Sequence, residues 1–262
     1  IKNKNILFGT VDTWLIWKLT NHKKHLTDIT NASRTMLFDI NNKIWSTKLT
    51  KIFRIPESIL PKVVANVHNF GTTSIFGGSI MIGGVAGDQQ AALIGQACFE
   101  KNISKSTYGT GCFFLINIGK KPKFSKNKLL TTIAYQINDK TFYCLEGSIF
   151  SAGSVIQWLR DGIKIIKSAS DTEKLYNRAD KNQNIQFVPA FTGMGAPYWN
   201  SNVRGSIYGL TQNTTSADIT KAAIQSVCLQ TKDLILAIEK DINAKISEIR
   251  IDGGMISNKY FI

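Results

Sequence analysis

Between Ala217 and Ile238 the series Ile219, Ala222, Ala223, Val227, Gln230, Leu234 and Ile238 recurs at i, i+3, i+4 and i+7. That rhythm puts the small and apolar side chains on one face of a long helix, which must be covered by something else in the fold. Ser216 stands at its start as a candidate N-cap, and Asp218 suits the positive end of the helix dipole. A strand over Ile246–Ile251 follows, and Asp252-Gly253-Gly254 turns it towards another helix. A long amphipathic helix feeding a strand and a glycine bend is the grammar of an α/β protein.

The same grammar runs through the rest of the chain. The spacing predicts helices over Phe8–Leu19, Trp45–Phe53, Gln89–Gly95 and Ser154–Ile166, the second ending where Ile55 precedes Pro56. Extended segments are predicted at His25–Asp28, Met36–Phe38 and Ser79–Gly87, with a polar loop at Thr30–Arg34. Ser104–Tyr108 with Cys112–Ile118, and Leu130–Ile137 with Thr141–Glu146, read as strand pairs joined by Gly109-Thr110-Gly111 and Asn138-Asp139. Parallel and antiparallel pieces together predict a mixed sheet. No internal repeat or low-complexity tract interrupts the pattern.

Composition narrows the class. The 262 residues are enough for one and a half or two domains. With 43% hydrophobic and 19% charged residues they can fill a sizeable core. No apolar run approaches the roughly 18 residues needed to span a bilayer. Ile1–Asn5 leads into no apolar stretch of signal-peptide type and lacks an initiator Met, and Asn258–Ile262 reads as a helix just beginning. Both ends are therefore expected to be cuts through a longer protein. The net charge of +14 comes from 32 Lys and Arg against 18 Asp and Glu, but the lysines are scattered among Asn and Ile. That scatter points to a solvated basic surface rather than a nucleic-acid groove. Cys98, Cys112, Cys144 and Cys228 form no C-x-x-C pair, and most sit in apolar segments, so buried thiols in a reducing cytoplasm are expected. His22, His25 and His68 have no carboxylate or cysteine cluster beside them that would suggest a metal site.

Four glycine-bearing segments could carry chemistry. In Ala86-Gly87-Asp88-Gln89-Gln90-Ala91-Ala92 the glycine lets a loop approach a ligand, Asp88 can take a proton from a hydroxyl or help hold Mg²⁺, and Gln89 offers donor and acceptor to a polyol. The plainer reading, that Asp88 caps its helix, is favoured on this segment alone. Tyr108-Gly109-Thr110-Gly111-Cys112 could bind phosphate oxygens through backbone N–H groups, or be an ordinary hairpin turn. Glu146-Gly147-Ser148…Ala152-Gly153-Ser154 could pack a base or sugar at Gly153 with Gln157 one turn on, or be a plain strand–helix junction. Asp252–Asn258 could be a nucleotide site at a helix start, or a tight turn. None fits the spacing G-x-x-x-x-G-K-[ST] or G-x-G-x-x-G.

Their order is more telling than any one of them. Gly9–Lys18, Thr30–Phe38, Ala86–Ala92, Tyr108–Phe113, Leu129–Ala134, Gln157–Asp161, Pro189–Trp199, Arg204–Thr211 and Asp252–Gly254 follow one another. In this order and spacing the chain resembles the FGGY carbohydrate kinases, and among them the glycerol kinase group rather than the xylulose, ribulose or gluconate kinases. The stretch Gly205–Gln225 resembles that family's carboxyl-side signature. The resemblance implies a ribonuclease-H/actin-like ATPase fold, with residues 1–95 on the glycerol side and 96–262 on the nucleotide side of a cleft. It implies ATP and Mg²⁺ as cofactors, glycerol as the small-molecule substrate and glycerol 3-phosphate as product, with neither a nucleic-acid partner nor a membrane span. Asp88 would be the general base and lie near the Mg²⁺ shell. Gln89 would hydrogen-bond glycerol and Phe113 pack on its carbons. Thr110 would meet the ATP phosphates, and Gly153, Gln157, Gly254 and Asn258 would line the nucleotide pocket. It also implies a homo-oligomer, dimer or tetramer. Two departures stand out: the family's Asp-x-Gly-Thr-x-Ser hairpin and its Arg–Glu glycerol grip have no counterpart in the chain, so the chain alone is expected to be inactive. The loop Gly71–Gly84 is short and lacks the Arg that some members use for sugar-bisphosphate inhibition. A pentulose kinase, and a non-catalytic actin-like or basic nucleic-acid-binding module, are the alternatives.

Overall fold

The computed structural model describes residues 6–262; the opening Ile1–Asn5, where the sequence reading found no signal peptide, lies outside the described residues. The contacts divide the chain into two units. One comprises residues 1–101, 117–124 and 131–144, the other 102–116, 125–130 and 145–262.

In the first unit α1 (Val11–Leu19) follows Thr10, later than the apolar series at Phe8 suggests, because Thr10 is the last extended residue before the helix. The Thr10 hydroxyl is drawn sideways to the Asp12 carboxylate rather than capping the helix. β1 (Leu26–Asp28) comes next, and Asp28 caps a four-residue helix α2 (Ile29–Ala32) where a polar loop is predicted. Asp28 accepts from the backbone of Thr30 and Asn31, which is enough to turn a polar sequence into helix. The extended piece predicted at Met36–Phe38 is shifted to β2 (Phe38–Asp39), which pairs with β3 (Ile44–Trp45). Trp45 is therefore strand, and the predicted Trp45–Phe53 helix shrinks to α3 (Thr47–Ile52), capped by the Ser46 hydroxyl on Leu49 N. β4 (Lys62–Val64) lies parallel to β1, with Asp28 opposite Val64. The predicted Ser79–Gly87 strand is mostly irregular. Only β6 (Ile80–Met81), paired with β5 (Thr72–Thr73), is strand there, because residues 85–87 are held by Thr30 and Asn66 rather than by a ladder. α4 (Asp88–Gly95) ends this stretch. Ile16, Ile29, Ala32, Phe70, Leu93 and Cys98 are buried in this unit.

In the second unit β7 (Ile103–Tyr108) and the start of β8 (Cys112–Gly119) form the expected antiparallel pair, from Ser104 opposite Ile116 to Tyr108 opposite Cys112. β9 (Leu130–Ile137), which from Thr131 belongs to the first unit, and β10 (Lys140–Ile149), which enters the second unit at Leu145, follow, β10 running three residues beyond the predicted Glu146. The predicted helix Ser154–Ile166 is only α5 (Gly153–Gln157) and then a wide π turn over Trp158–Gly162. Ile163 N reaches back five residues to Trp158 O at 3.0 Å, and a Cβ on Gly162 would stand 2.7 Å from the Trp158 ring. A glycine under a folded-back indole ends the regular helix there. α6 (Asp171–Arg178), β11 (Gln186–Val188) and β12 (Ser206–Tyr208) were not expected.

The long helix is α7 (Ser216–Ile242). Its N-cap is Thr215, not Ser216. The Thr215 hydroxyl and Asp218 make a reciprocal capping box, and the Asp218 carboxylate takes the Thr215 N–H at 2.8 Å. Ala223, Ile224, Val227, Leu234 and Ile238 on α7 are buried, as are Phe114, Leu115, Leu145, Ile149, Val155 and Leu159. At roughly 1.5–3 kcal/mol for each large apolar side chain, this packing outweighs the modest helix propensity of the β-branched residues in α7. Asn243, in the left-handed region, closes the helix. β13 (Glu248–Asp252) then lies parallel to β7. The last residues form a 3-10 turn, Gly254–Ser257, rather than the start of a new α-helix, since Asn258 is already extended. The largest sheet among the described residues has the order β13-β7-β8-β10-β9, with β13 and β7 parallel and β7 and β8 antiparallel, so it is mixed as predicted.

Candidate active site

Three bends meet at the end of β7 in the second unit, and backbone contacts bring them together. The turn Gly109-Thr110-Gly111 follows β7, and its carbonyls receive the start of α5. Gly153 N donates to Gly109 O at 2.9 Å, and Ala152 N and Ser154 N donate to Thr110 O at 2.9 and 3.0 Å. A Cβ on Gly153 would lie 2.5 Å from Gly109 O, so only glycine permits this approach. The third bend follows β13, where Asp252 is paired beside Thr107. Gly253 has φ +99°, and a Cβ on it would overlap the Tyr108 backbone. The glycine at 254 differs: a Cβ there would meet nothing within 4 Å.

What Gly254 faces is a cavity of about 540 Å³. Thr110, Gly153, Gln157, Gly254 and Asn258, the five residues expected to hold a nucleotide, all line it. Its volume falls within the range of small-molecule sites. Several of its other neighbours carry no motif in the sequence. Tyr108, Ile224 and Phe261 form an apolar side, with the Tyr108 and Phe261 rings edge to face at 4.7 Å. Burial pushes the Tyr108 hydroxyl up to about 12, so at neutral pH it stays protonated and donates to Thr231 Oγ1 at 3.1 Å. The opposite wall comes from the first turn of α6. Thr172 Oγ1 accepts from Asn258 Nδ2 at 2.8 Å, and Glu173 Oε1 accepts from Lys259 N at 2.8 Å. Ser170 ahead of acidic Asp171 and Glu173 is a helix-start signal that could have revealed this wall. Arg160 also lines the cavity and is held in a two-bond ion pair with Asp161, both bonds 2.6 Å.

Asp88 and Gln89 belong to the first unit. The N-cap of α4 is Gly87 and no side chain caps it, so Asp88 is the first helical residue and the capping reading is corrected. Its carboxylate is exposed, with the Gln89 amide Nε2 3.4 Å from Oδ2. The segment before it is fastened by polar side chains. Gly87 N donates to Thr30 Oγ1 at 2.9 Å, and Asn66 Nδ2 donates to Val85 O at 2.9 Å. Both lead to Asp28, fully buried, which accepts from Thr30 Oγ1 at 2.5 Å and from Asn66 Nδ2 at 2.7 Å. Burial raises the Asp28 carboxyl above its ordinary value, the Thr30 and Asn31 hydrogen bonds oppose that, and nearby Asp12 adds to the rise. Phe113 lies on β8 in the second unit, opposite Thr107, with its ring partly exposed; it does not line the cavity.

A family of kinases accounts for this combination of bends. Residues 1–95 match the N-terminal domain, and residues 105–262 the C-terminal domain, of the FGGY family of carbohydrate kinases. The chain belongs to that family, and its mixed sheet and helices are of the ribonuclease-H/actin-like ATPase fold. It is similar to the glycerol kinase of Alteromonas mediterranea, 56% identical over 99% of the chain and 53% of the relative. The glycerol kinase of Nitrobacter hamburgensis is 55% identical over 98% of the chain and 52% of the relative. The crystal structure of Plasmodium falciparum glycerol kinase with ADP superposes with a TM-score of 0.89 at 41% identity, over 97% of this chain and 52% of that one. The chain thus spans about half the length of the curated relatives it matches. No helix among the described residues is long and apolar enough to cross a membrane.

Proposed function

We propose that the complete gene product containing this chain transfers the γ-phosphoryl group of ATP to the terminal hydroxyl of glycerol, giving sn-glycerol 3-phosphate and ADP. The observation that carries this reading is the meeting of Thr110, Gly153, Gln157, Gly254 and Asn258 on one cavity, in a chain more than half identical to glycerol kinases. Thr110, on the turn, would meet the phosphates. Gly254 leaves room for the nucleoside, and Gln157 and Asn258 offer polar edges to it. On the other domain, Asp88 would take the hydroxyl proton as the glycerol oxygen bonds to the γ-phosphorus and the bond to ADP breaks. Gln89 would orient the polyol, and the partly exposed ring of Phe113 would cover its carbons. The protein's contribution is chiefly positioning and electrostatics. The single exposed carboxylate of Asp88 fits Mg²⁺, which is usually held by one or two carboxylates, waters and the phosphates themselves. When bound, that ion would neutralise charge on the phosphates.

Residues 1–95 would then be the glycerol side and 96–262 the nucleotide side. We also infer a cytoplasmic location, supported by the buried thiols of Cys98, Cys112 and Cys144, none of which is in a disulfide, and a homo-oligomer that sizing of the product would test. A substrate panel tests the assignment. Glycerol should give the highest kcat/KM among glycerol, xylulose, ribulose and gluconate; a ketopentose turned over faster than glycerol would reassign the enzyme to a pentulose kinase.

A further inference from the structure

The fastening of the segment before Asp88 goes beyond what the fold requires. Residues 85–87 belong to no strand. Two residues far away in sequence hold them. Thr30 takes the Gly87 N–H, and Asn66 gives one amide hydrogen to Val85 O. Asn66 is itself fixed, since its Oδ1 accepts from Gln136 N at 2.7 Å and its backbone O accepts from Val85 N at 2.9 Å. Thr30 and Asn66 have one acceptor in common, Asp28 Oδ2, at 2.5 and 2.7 Å. The other oxygen, Oδ1, accepts from Asn31 Nδ2 at 2.6 Å. Every partner of this carboxylate offers an N–H or O–H, which matches its acceptor-only capacity. Asp28 and Thr30 are fully buried and Asn66 nearly so, which leaves the geometry little freedom to drift.

We propose that Asp28 is a positioning residue for Asp88, acting through two arms, Thr30 on Gly87 and Asn66 on Val85. Asp28 touches no substrate. It fixes where the backbone leaves the segment and so where α4 begins, and Asp88 is the first residue of α4. A general base must stand within hydrogen-bond reach of its proton, and a displacement of about 1 Å can cost on the order of a hundredfold in rate. The inference rests on Asp88 being the base.

The test is Thr30→Val, which keeps the shape and removes the hydroxyl that joins Gly87 to Asp28, with Thr30→Ser as the conservative control. Both are made in the complete gene product and assayed well below their melting temperatures. Thr30→Val should lower kcat for glycerol phosphorylation about tenfold or more and leave the glycerol KM within about twofold, with Thr30→Ser near the parent. Hydrogen exchange at the Gly87 amide should speed up in the Val variant and recover in the Ser variant. If Thr30→Val does not fold, Asn66→Ala, which cuts the other arm, carries the same kinetic expectation. A lowered melting temperature with unchanged kcat overturns the proposal, and so does failure of both variants to fold, since the network would then serve only the scaffold. The underlying reading fails separately. In that case the parent shows no glycerol phosphorylation, or Asp88→Asn leaves turnover intact.

Discussion

The cavity of the second unit and the Asp88 segment of the first are built in opposite ways. In the second unit the cavity is made by backbone. Three bends touch through main-chain hydrogen bonds and through glycines whose missing Cβ lets them approach. In the first unit the Asp88 segment is fastened largely by side chains, with Thr30 and Asn66 reaching it from 57 and 19 residues away along the chain and Asp28 bracing both. The difference teaches where rigidity resides. A backbone-built site fails when bulk is added, and a side-chain-built site fails when a polar atom is removed.

Gly253 and Gly254 break or sharpen that contrast most strongly, because they are neighbours with different reasons to be glycine. Gly253→Ala forces a left-handed φ of +99° on a residue with a Cβ and drives that atom into the Tyr108 backbone. The expected loss is roughly 2–5 kcal/mol of unfolding free energy, read by denaturant titration. Gly254→Leu meets no protein atom near its Cβ, so stability should stay within about 0.5 kcal/mol. ADP affinity, by calorimetry, should fall tenfold or more, about 1.4 kcal/mol. Equal effects of the two substitutions on stability would dissolve the distinction between a glycine that closes the fold and one that opens the cavity.

The smallest expected effect concerns a side-chain fastening in the second unit. Asp241 on α7 accepts from Ser125 Oγ, from Lys126 N at 2.9 Å and from Asn127 Nδ2 at 2.8 Å. Burial works against its ionisation, but these donors hold its carboxyl below the ordinary 3.8. A depressed folded-state pKa adds stability that is present above the unfolded value and lost as pH falls through the folded one. The gap in melting temperature between the parent and Asp241→Asn should therefore be widest near neutral pH and shrink as pH drops below about 4. A gap independent of pH would show that Asp241 acts by shape alone.

Legibility in the sequence followed the same division. The cavity residues Thr110, Gly153, Gln157, Gly254 and Asn258 stand in or beside glycine bends, and a glycine between strand and helix is visible in a linear sequence. The long helix α7 is legible from its period, although the sequence points to a cap one residue late because Thr215 and Ser216 are both good caps. The α6 wall was missed because its apolar residues are few and its role depends on where the chain returns. Thr30 and Asn31 read as loop because polar residues favour loops until a partner such as Asp28 caps them into helix. Nothing local marks Asn66 as a partner of Val85. The π turn at Trp158–Gly162 was likewise invisible, since the Val155, Leu159 and Ile166 periodicity continues across it while Ile163 turns outward.

The proposed reaction depends on Asp88 accepting a proton while the other groups only bind and orient. Asp88→Asn in the complete gene product, with turnover and the separate affinities for glycerol and ADP all measured, tests this most directly. Turnover should drop by roughly 10²–10⁴-fold while both affinities change little. Turnover close to that of the parent would contradict it.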